Sequence, residues 1–356
     1  MIHCAEQILI SRPDHLLGRA LQRQLLHLGH PASHIIGAPL PDFHNLAETR
    51  AFLEAHRPEQ VYVIAQDLNN HHSQPKICDN WLPDASADAT LIRAAYLCGV
   101  RRLIYVADSR VYPAPAPQPV AEWFLCAAPA TPQADSQAAR VQRHCLRLCD
   151  SLSHGEGSGP RADFRGAVVS EVYGPLGRGD GHRPLATAPM GLVEHLLRQL
   201  LQAEDMAENR LQLQLPPGTP MALDLLFADD AAEALVYLLE LPRQSLTAAG
   251  RTNGTNANTN AGATITTGPC HTNVGSGVAT HMERLIRQAA LAVGYFGLLD
   301  PLTHSSPELA ATSRCLCTRR LRDLSWEPLI DLECGLELTG MDLRLRTRRR
   351  DRGAVH

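Results

Sequence analysis

Lysine is all but missing from this chain of 356 residues. Of its 33 basic residues, Lys76 is the lone lysine and the others are arginines. That excludes any chemistry needing an ammonium group elsewhere. An excess of positive charge is missing too. A formal net charge of -4 argues against binding nucleic acid through bulk electrostatics. No apolar run reaches the length of a bilayer span, so no membrane contact is expected. Met1-Ile2-His3-Cys4 leads almost directly into strand-like sequence and leaves no room for a secretory signal. The expected compartment is therefore the cytoplasm. The 10 cysteines lack a paired metal spacing, and Cys315 and Cys317 sit too close for a Cys-x-x-Cys site. Reduced thiols and no bound metal are the expectation.

What is present suffices for a core. Hydrophobic residues make up 44% and charged residues 20%, and the length suits one large α/β domain with a smaller lobe. Ile8-Leu9-Ile10 reads as a strand. Leu16, Leu17, Ala20, Leu21, Leu25 and Leu28 follow at helical spacing and stop near Gly29. Ile35-Ile36 is a second strand, and the helix over 51–56 is broken by Pro58. The unbroken apolar runs Val61–Ala65 and Leu103–Ala107 read as buried strands, with a helix over Asp88–Cys98 between them. A Pro-rich loop, a helix over Ser136–Leu152 and a strand over Ala167–Ser170 come next. Strands alternating with helices predict a parallel, doubly wound, Rossmann-like sheet with right-handed crossovers.

Residues 1–175 make up the Rossmann-like part on this reading, continued by 223–243 and 273–294. A smaller C-terminal substrate-type lobe takes 176–222 and 295–343. Residues 244–272 are Asn-, Thr-, Gly- and Ala-rich, the composition of a disordered surface insertion. Thr280 and Glu283 are spaced as a capping box for the helix that follows. The arginine-dense tail 344–356 reads as a solvated, frayed end.

Several stretches, in order, carry a resemblance. They include Val111-Tyr112-Pro113, Val172-Tyr173-Gly174-Pro175, Ala228-Asp229-Asp230-Ala231-Ala232, Asn273-Val274-Gly275-Ser276-Gly277 and Leu324-Ser325-Trp326-Glu327-Pro328. Together they resemble the extended short-chain dehydrogenase/reductase (NAD-dependent epimerase/dehydratase) superfamily. Within it they are most similar to the GDP-L-fucose synthase branch. The resemblance implies a Rossmann fold, NADP(H) as cofactor and a nucleotide-sugar substrate that is epimerised and reduced.

The same alignment locates the residues that would carry this chemistry. The three glycines of the phosphate loop fall at Arg12, His15 and Gly18, so only the last is kept. Pro13 removes an amide donor, and Asp14 brings negative charge to where phosphate would lie. The serine that orients the carbonyl falls at Asp108, and Tyr-x-x-x-Lys at Ser136 and Arg140. The two epimerisation residues fall at Arg110 and near Gly191, with His182 a displaced candidate. Cations persist at Arg198 and Arg314, which match contacts near the diphosphate.

A retained scaffold without a phenol–ammonium pair predicts a catalytically defective subunit that binds no dinucleotide. Its expected role is binding or structural. It would pair with a second copy, or with an active homologue, through the helices over 88–98 and 136–152. A GDP-sugar is a possible ligand of such a subunit. The alternative is an active NADP(H)-dependent epimerase/reductase acting on a GDP-4-keto-6-deoxymannose, with Arg12 and His15 at phosphate and His182 as acid/base. Opposite charges at Asp108 and Arg140 are expected to pair across the cleft.

Overall fold

The computed structural model describes residues 6–37, 39–66, 68, 84, 86–113, 115–127, 136–154, 162–177, 191–216, 219–246, 270–300 and 313–353. Lys76 and His182 lie outside them.

Six parallel strands form the main sheet: β1 (Ile8–Ile10), β2 (Ile35–Ile36), β3 (Gln60–Ile64), β4 (Arg102–Asp108), β5 (Asp163–Val169) and β9 (Thr272–Val274), in the order β2-β1-β3-β4-β5-β9. β1 aligns Leu9 with Val61 of β3, and β4 aligns Val106 with Ala167 of β5. The chain order reverses between β1 and β3. That is where open α/β sheets form a ligand crevice, beyond the carboxyl ends of the strands. Helices α1 (Leu16–His27), α2 (Leu46–His56), α3 (Ala87–Leu97), α4 (Trp123–Ala127), α5 (Gln137–His154) and α7 (Ala228–Glu240) belong to this part. Leu17, Leu21 and Leu25, spaced by four on α1, are all but fully buried. Burying each such side chain contributes roughly 1.5–3 kcal/mol. Ser86 starts α3 by accepting from Ala89 N at 3.2 Å.

A second apolar core lies among α6 (Leu192–Asp205), β8 (Ala222–Phe227), α8 (Met282–Val293) and α10 (Leu332–Gly353). β8 is flanked by β10 (Ala279–His281), antiparallel, and by β12 (Ser313–Arg314), parallel, and β6 (Glu171–Tyr173) also pairs with it. β7 (Arg210–Leu211) and β11 (Leu298–Leu299) form a separate parallel pair. α9 (Arg319–Asp323) follows β12.

Side-chain packing revises the sequence-derived divisions. α8, expected in the Rossmann-like part, packs Leu285, Ile286 and Ala289 into the second core. Leu316, Leu321 and Trp326, expected in the smaller lobe, pack into the first. The stretch over 244–272 is also shorter at both ends than its composition suggests. Leu246 and Cys270 pack against the first core, His271 is 2% exposed, and Thr272 already pairs with Ala167 in the sheet. Residues 247–269 are outside the description. Thr280 caps nothing: it is a ladder residue opposite Leu223, and His281 precedes α8.

The tail is not a frayed end through Gly353, because α10 continues to that residue. Arg344 donates to Glu204 at 3.1 Å, and Arg346 lies 3.3 Å from Glu194 and 2.9 Å from Asp342. The pairs with Glu204 and Glu194 hold the helix against α6, and the one with Asp342 lies within α10. No described helix is long and apolar enough to cross a membrane, and no metal-binding cluster occurs among the described residues.

Candidate functional site

The turn after β1 shows what replaced the glycine loop. Gly18 cannot carry a side chain: a Cβ there would lie 1.9 Å from the Arg12 carbonyl oxygen. This glycine serves the close approach of helix and strand, as its position suggests. Gly18→Ala is expected to destabilise the fold by about 3 kcal/mol in urea unfolding, because backbone rather than a flexible side chain must move.

The other two positions reach across the crevice. Arg12 Nε donates to the Ile64 carbonyl at the end of β3, at 3.0 Å, and its Nη2 lies 3.6 Å from Asp88 on α3. Asp88 is buried and also accepts from Gln66 N at 3.2 Å and from the Tyr105 hydroxyl at 3.3 Å. Burial pushes its carboxyl above the usual range, although the Arg12 charge and the hydrogen bonds pull it down. His15 caps α1, its Nδ1 accepting from Leu17 N at 3.2 Å. That leaves the proton on Nε2, which faces the Leu68 carbonyl at 3.4 Å. Burial lowers the imidazole to about 4, so it is neutral at pH 7 and supplies no charge for a phosphate. Side chains from the β1 turn thus tie that turn to the β3 loop at the switch point.

The end of β4 is occupied as fully. Asp108 does not meet Arg140. It accepts from Arg110 N at 2.9 Å and from Arg110 Nε at 3.0 Å, and Gln142 Nε2 lies 3.4 Å from Oδ2. Gln142 Oε1 in turn accepts from Asp108 N at 3.0 Å. Burial is the largest influence on the carboxyl and raises it, but the Arg110 charge and these hydrogen bonds outweigh it and hold Asp108 below its ordinary range. The expected Asp108–Arg140 pair is corrected by local geometry. A short 3-10 turn over Ser109–Val111 brings Arg110 back onto the strand end, while Arg140 points to solvent.

This contact also corrects the Tyr-x-x-x-Lys register. Ser136 is exposed, and its Oγ accepts from Ala139 N at 3.2 Å, as a cap of α5. The α5 residue set against Asp108 is Gln142, and four residues earlier stands Ala138. Arg143, next along, donates to the Val111 carbonyl at 2.6 Å. In either register the helix presents neither phenol nor ammonium.

Of the two retained cations, Arg314 is brought to this corner and Arg198 is not. Burial depresses the Arg314 guanidinium, with Asp108 and Glu171 opposing and Arg110 adding to the effect. Arg198 pairs with Glu194 of its own helix at 2.8 Å, on an exposed turn.

The one phenol adjoining the corner faces elsewhere. Tyr112 donates to Asn273 Oδ1 at 2.6 Å and lies 2.7 Å from His271 Nε2, which completes a buried chain to β9. Burial lowers His271 to about 3, with the Arg320 charge adding to the effect. Asn273 Nδ2 donates to the Val120 carbonyl at 2.9 Å. Sequence reading singled out none of Asp88, Gln142 and His271 as site residues. Only Gln142 had a signal, its place on the buried Val141–Cys145–Cys149 face.

A doubly wound parallel sheet, a crevice at its switch point and a polar corner where β4 meets α5 define a Rossmann-type α/β architecture. The sequence profile of the NAD dependent epimerase/dehydratase family matches residues 16–250, and the chain belongs to that family. GDP-L-fucose synthase of Escherichia coli K12 is 27% identical over 346 residues, covering 94% of this chain and 95% of that protein. GDP-L-fucose synthase 1 of Arabidopsis thaliana is 23% identical, covering 94% and 91%. Among solved structures, a GDP-mannoheptose C4 reductase from Campylobacter jejuni with NADP bound is similar at a TM-score of 0.70 and 17% identity, covering 97% of this chain and 100% of that one. A GDP-L-fucose synthetase from Naegleria fowleri bound to NADP also reaches 0.70, at 12% identity, covering 98% and 95%.

Proposed function

We propose that this chain is a non-catalytic member of the GDP-L-fucose synthase-like nucleotide-sugar epimerases/reductases, kept as a binding or structural subunit. One observation carries the reading: at the corner between β4 and α5 Asp108 stands at the hydroxyl position, bound to Arg110 and Gln142, and α5 offers neither a phenol nor an ammonium. Proton exchange with a sugar carbonyl oxygen needs an acid whose proton can leave and return near neutral pH. A guanidinium stays protonated, an amide does not titrate, and Asp108 is held ionised by Arg110.

The crevice supports the same reading. NADP(H) does not fit its residues, since the Arg12–Asp88 contact and the His15–Leu68 contact span the place where a glycine turn would admit a pyrophosphate. Arg314 remains a cation that could meet the diphosphate of a GDP-sugar. Association through α3 and α5, with a second copy or an active homologue, belongs to the same proposal. The competing reading is an active NADP(H)-dependent epimerase/reductase of the GDP-4-keto-6-deoxymannose type. It is favoured by similarity to synthases along nearly the whole chain.

Titration with NADPH and with NAD, followed by addition of a GDP-4-keto-6-deoxyhexose, separates the two. The expected result is no saturable dinucleotide binding and no loss of NADPH absorbance. Tight NADPH binding with turnover would overturn the proposal. GDP-sugar binding without dinucleotide would make the chain a sugar-nucleotide receptor.

A further inference from the structure

The loop that leaves β9, α9 and the segment after α9 enclose a cavity of about 230 Å³. It shares no residue with the β1 turn or the β4 corner. Gly275, Thr318, Arg322, Trp326, Glu327 and Pro328 line it. Its walls are fixed by bonds made outside it. Asp224 accepts from Ser276 N at 2.8 Å and from Gly277 N at 3.1 Å, which holds the loop after β9. Trp326 is 5% exposed, and its Nε1 donates to Glu233 of α7 at 2.9 Å, so the indole N–H is already spent and its ring is held in place.

The polar groups that line the cavity are, by contrast, unspent. Thr318 stands at the N-cap of α9 and is 4% exposed, yet its hydroxyl makes no capping bond and meets no other partner among the described residues. A threonine so placed ordinarily gives its oxygen to the helix backbone, and a buried hydroxyl left without a partner costs stability. Gly277 keeps room beside it: a Cβ there would lie 2.6 Å from Thr318 Oγ1. Arg322 and Glu327 are exposed, opposite in charge and set on the same cavity. Neither side chain makes an ion pair or a hydrogen bond with a described residue, the other included.

This lining selects a class of ligand. A guanidinium together with a hydroxyl suits a carboxylate, and the Glu327 carboxylate suits an ammonium. Trp326 and Pro328 add an apolar wall. The volume falls short of the roughly 300–1,000 Å³ of sites for drug-sized molecules, so a nucleotide is too large. We propose that this cavity binds a free apolar α-amino acid, with its carboxylate on Arg322 and Thr318, its ammonium on Glu327 and its side chain against Trp326 and Pro328. The site does not depend on whether the catalytic reading holds.

Calorimetric titration of the full chain with L-leucine, L-methionine and L-phenylalanine tests it. Saturable binding of at least one is expected. The N-acetyl and the amide derivatives of that amino acid should each bind at least about tenfold more weakly, because each lacks one of the two charges. Arg322→Ala and Glu327→Ala should each raise Kd for the parent amino acid by a similar factor. Both side chains are exposed and unpaired, so these variants should keep the wild-type melting temperature. Thr318→Val, which removes one hydroxyl, should raise Kd about fivefold. No saturable binding of any of these amino acids would overturn the proposal. So would binding indifferent to Arg322→Ala and Glu327→Ala, which would place the ligand elsewhere, or N-acetyl and amide derivatives that bind as well as the parent.

Discussion

Acidification from pH 6.5 to pH 4 should destabilise the fold steeply, and His15 and His271 should account for most of the slope. His271 is buried and His15 half-buried, and desolvation keeps both imidazoles neutral in the native state, near 3 and near 4 respectively. In the unfolded chain each returns to its ordinary value of 6.5. Below that pH the unfolded state binds more protons than the native state, so stability is lost as pH falls. Each group contributes up to roughly 1.4 kcal/mol per pH unit within its window. For His15 the window closes near pH 4 and the accumulated loss is about 3 kcal/mol. For His271 it runs about a unit lower. Asp88, Glu122 and Asp224 act oppositely, because burial raises their carboxyls and the native state then takes up protons first. They soften the acid end of the curve. Urea midpoints against pH, for the wild type and for His15→Gln and His271→Gln, should show a shallower dependence in each variant. Equal slopes in all three would mean that neither imidazole is held neutral by the fold.

Asp108→Ala should be the most damaging substitution at the β4 corner, lowering stability by about 3 kcal/mol. It removes at once the acceptor that Asp108 offers to the Arg110 guanidinium, to the Arg110 backbone N–H and to the Gln142 amide. Arg110 retains 18% side-chain exposure, so water compensates in part and the lower end of the range for broken buried pairs applies. Asp108→Asn keeps an acceptor and should lose less. Asp108→Ser returns the hydroxyl of the resembling enzymes, yet should give no turnover, since Ala138 and Gln142 still supply neither acid nor cation. Thermal melts and a keto-sugar reduction assay read both expectations. A wild-type melting temperature for Asp108→Ala would show that the pair adds nothing to the core.

The alternation of strands and helices was readable because the buried strands are unbroken apolar runs, and the placement of β1, β3 and β4 follows from it. The loss of a glycine turn was equally legible at Arg12 and His15. What those side chains do instead was not, since the carbonyls of Ile64 and Leu68 are contributed by a different strand end. The α5 register failed for another reason. Alignment on Ser136 and Arg140 weighs residue type, whereas the buried Val141–Cys145–Cys149 stripe fixes which turn faces the sheet and selects Gln142. The sequence marks Arg110 only as one of the two epimerisation positions. Its role depends on a tight turn that folds the guanidinium back by two residues, a distance too short for periodicity to register.

β9 covers the last three of the seven residues of β5 at the far edge of the main sheet, and it comes after residues 247–269 in the chain. A nascent polypeptide, or a fragment ending before β9, presents the whole of β5 as an open row of donors and acceptors. Such a species would recruit other chains at that edge. Expression trials that trim the molecule downstream of α7 should therefore yield inclusion bodies, and those that retain the sequence through Val274 have the capping strand available.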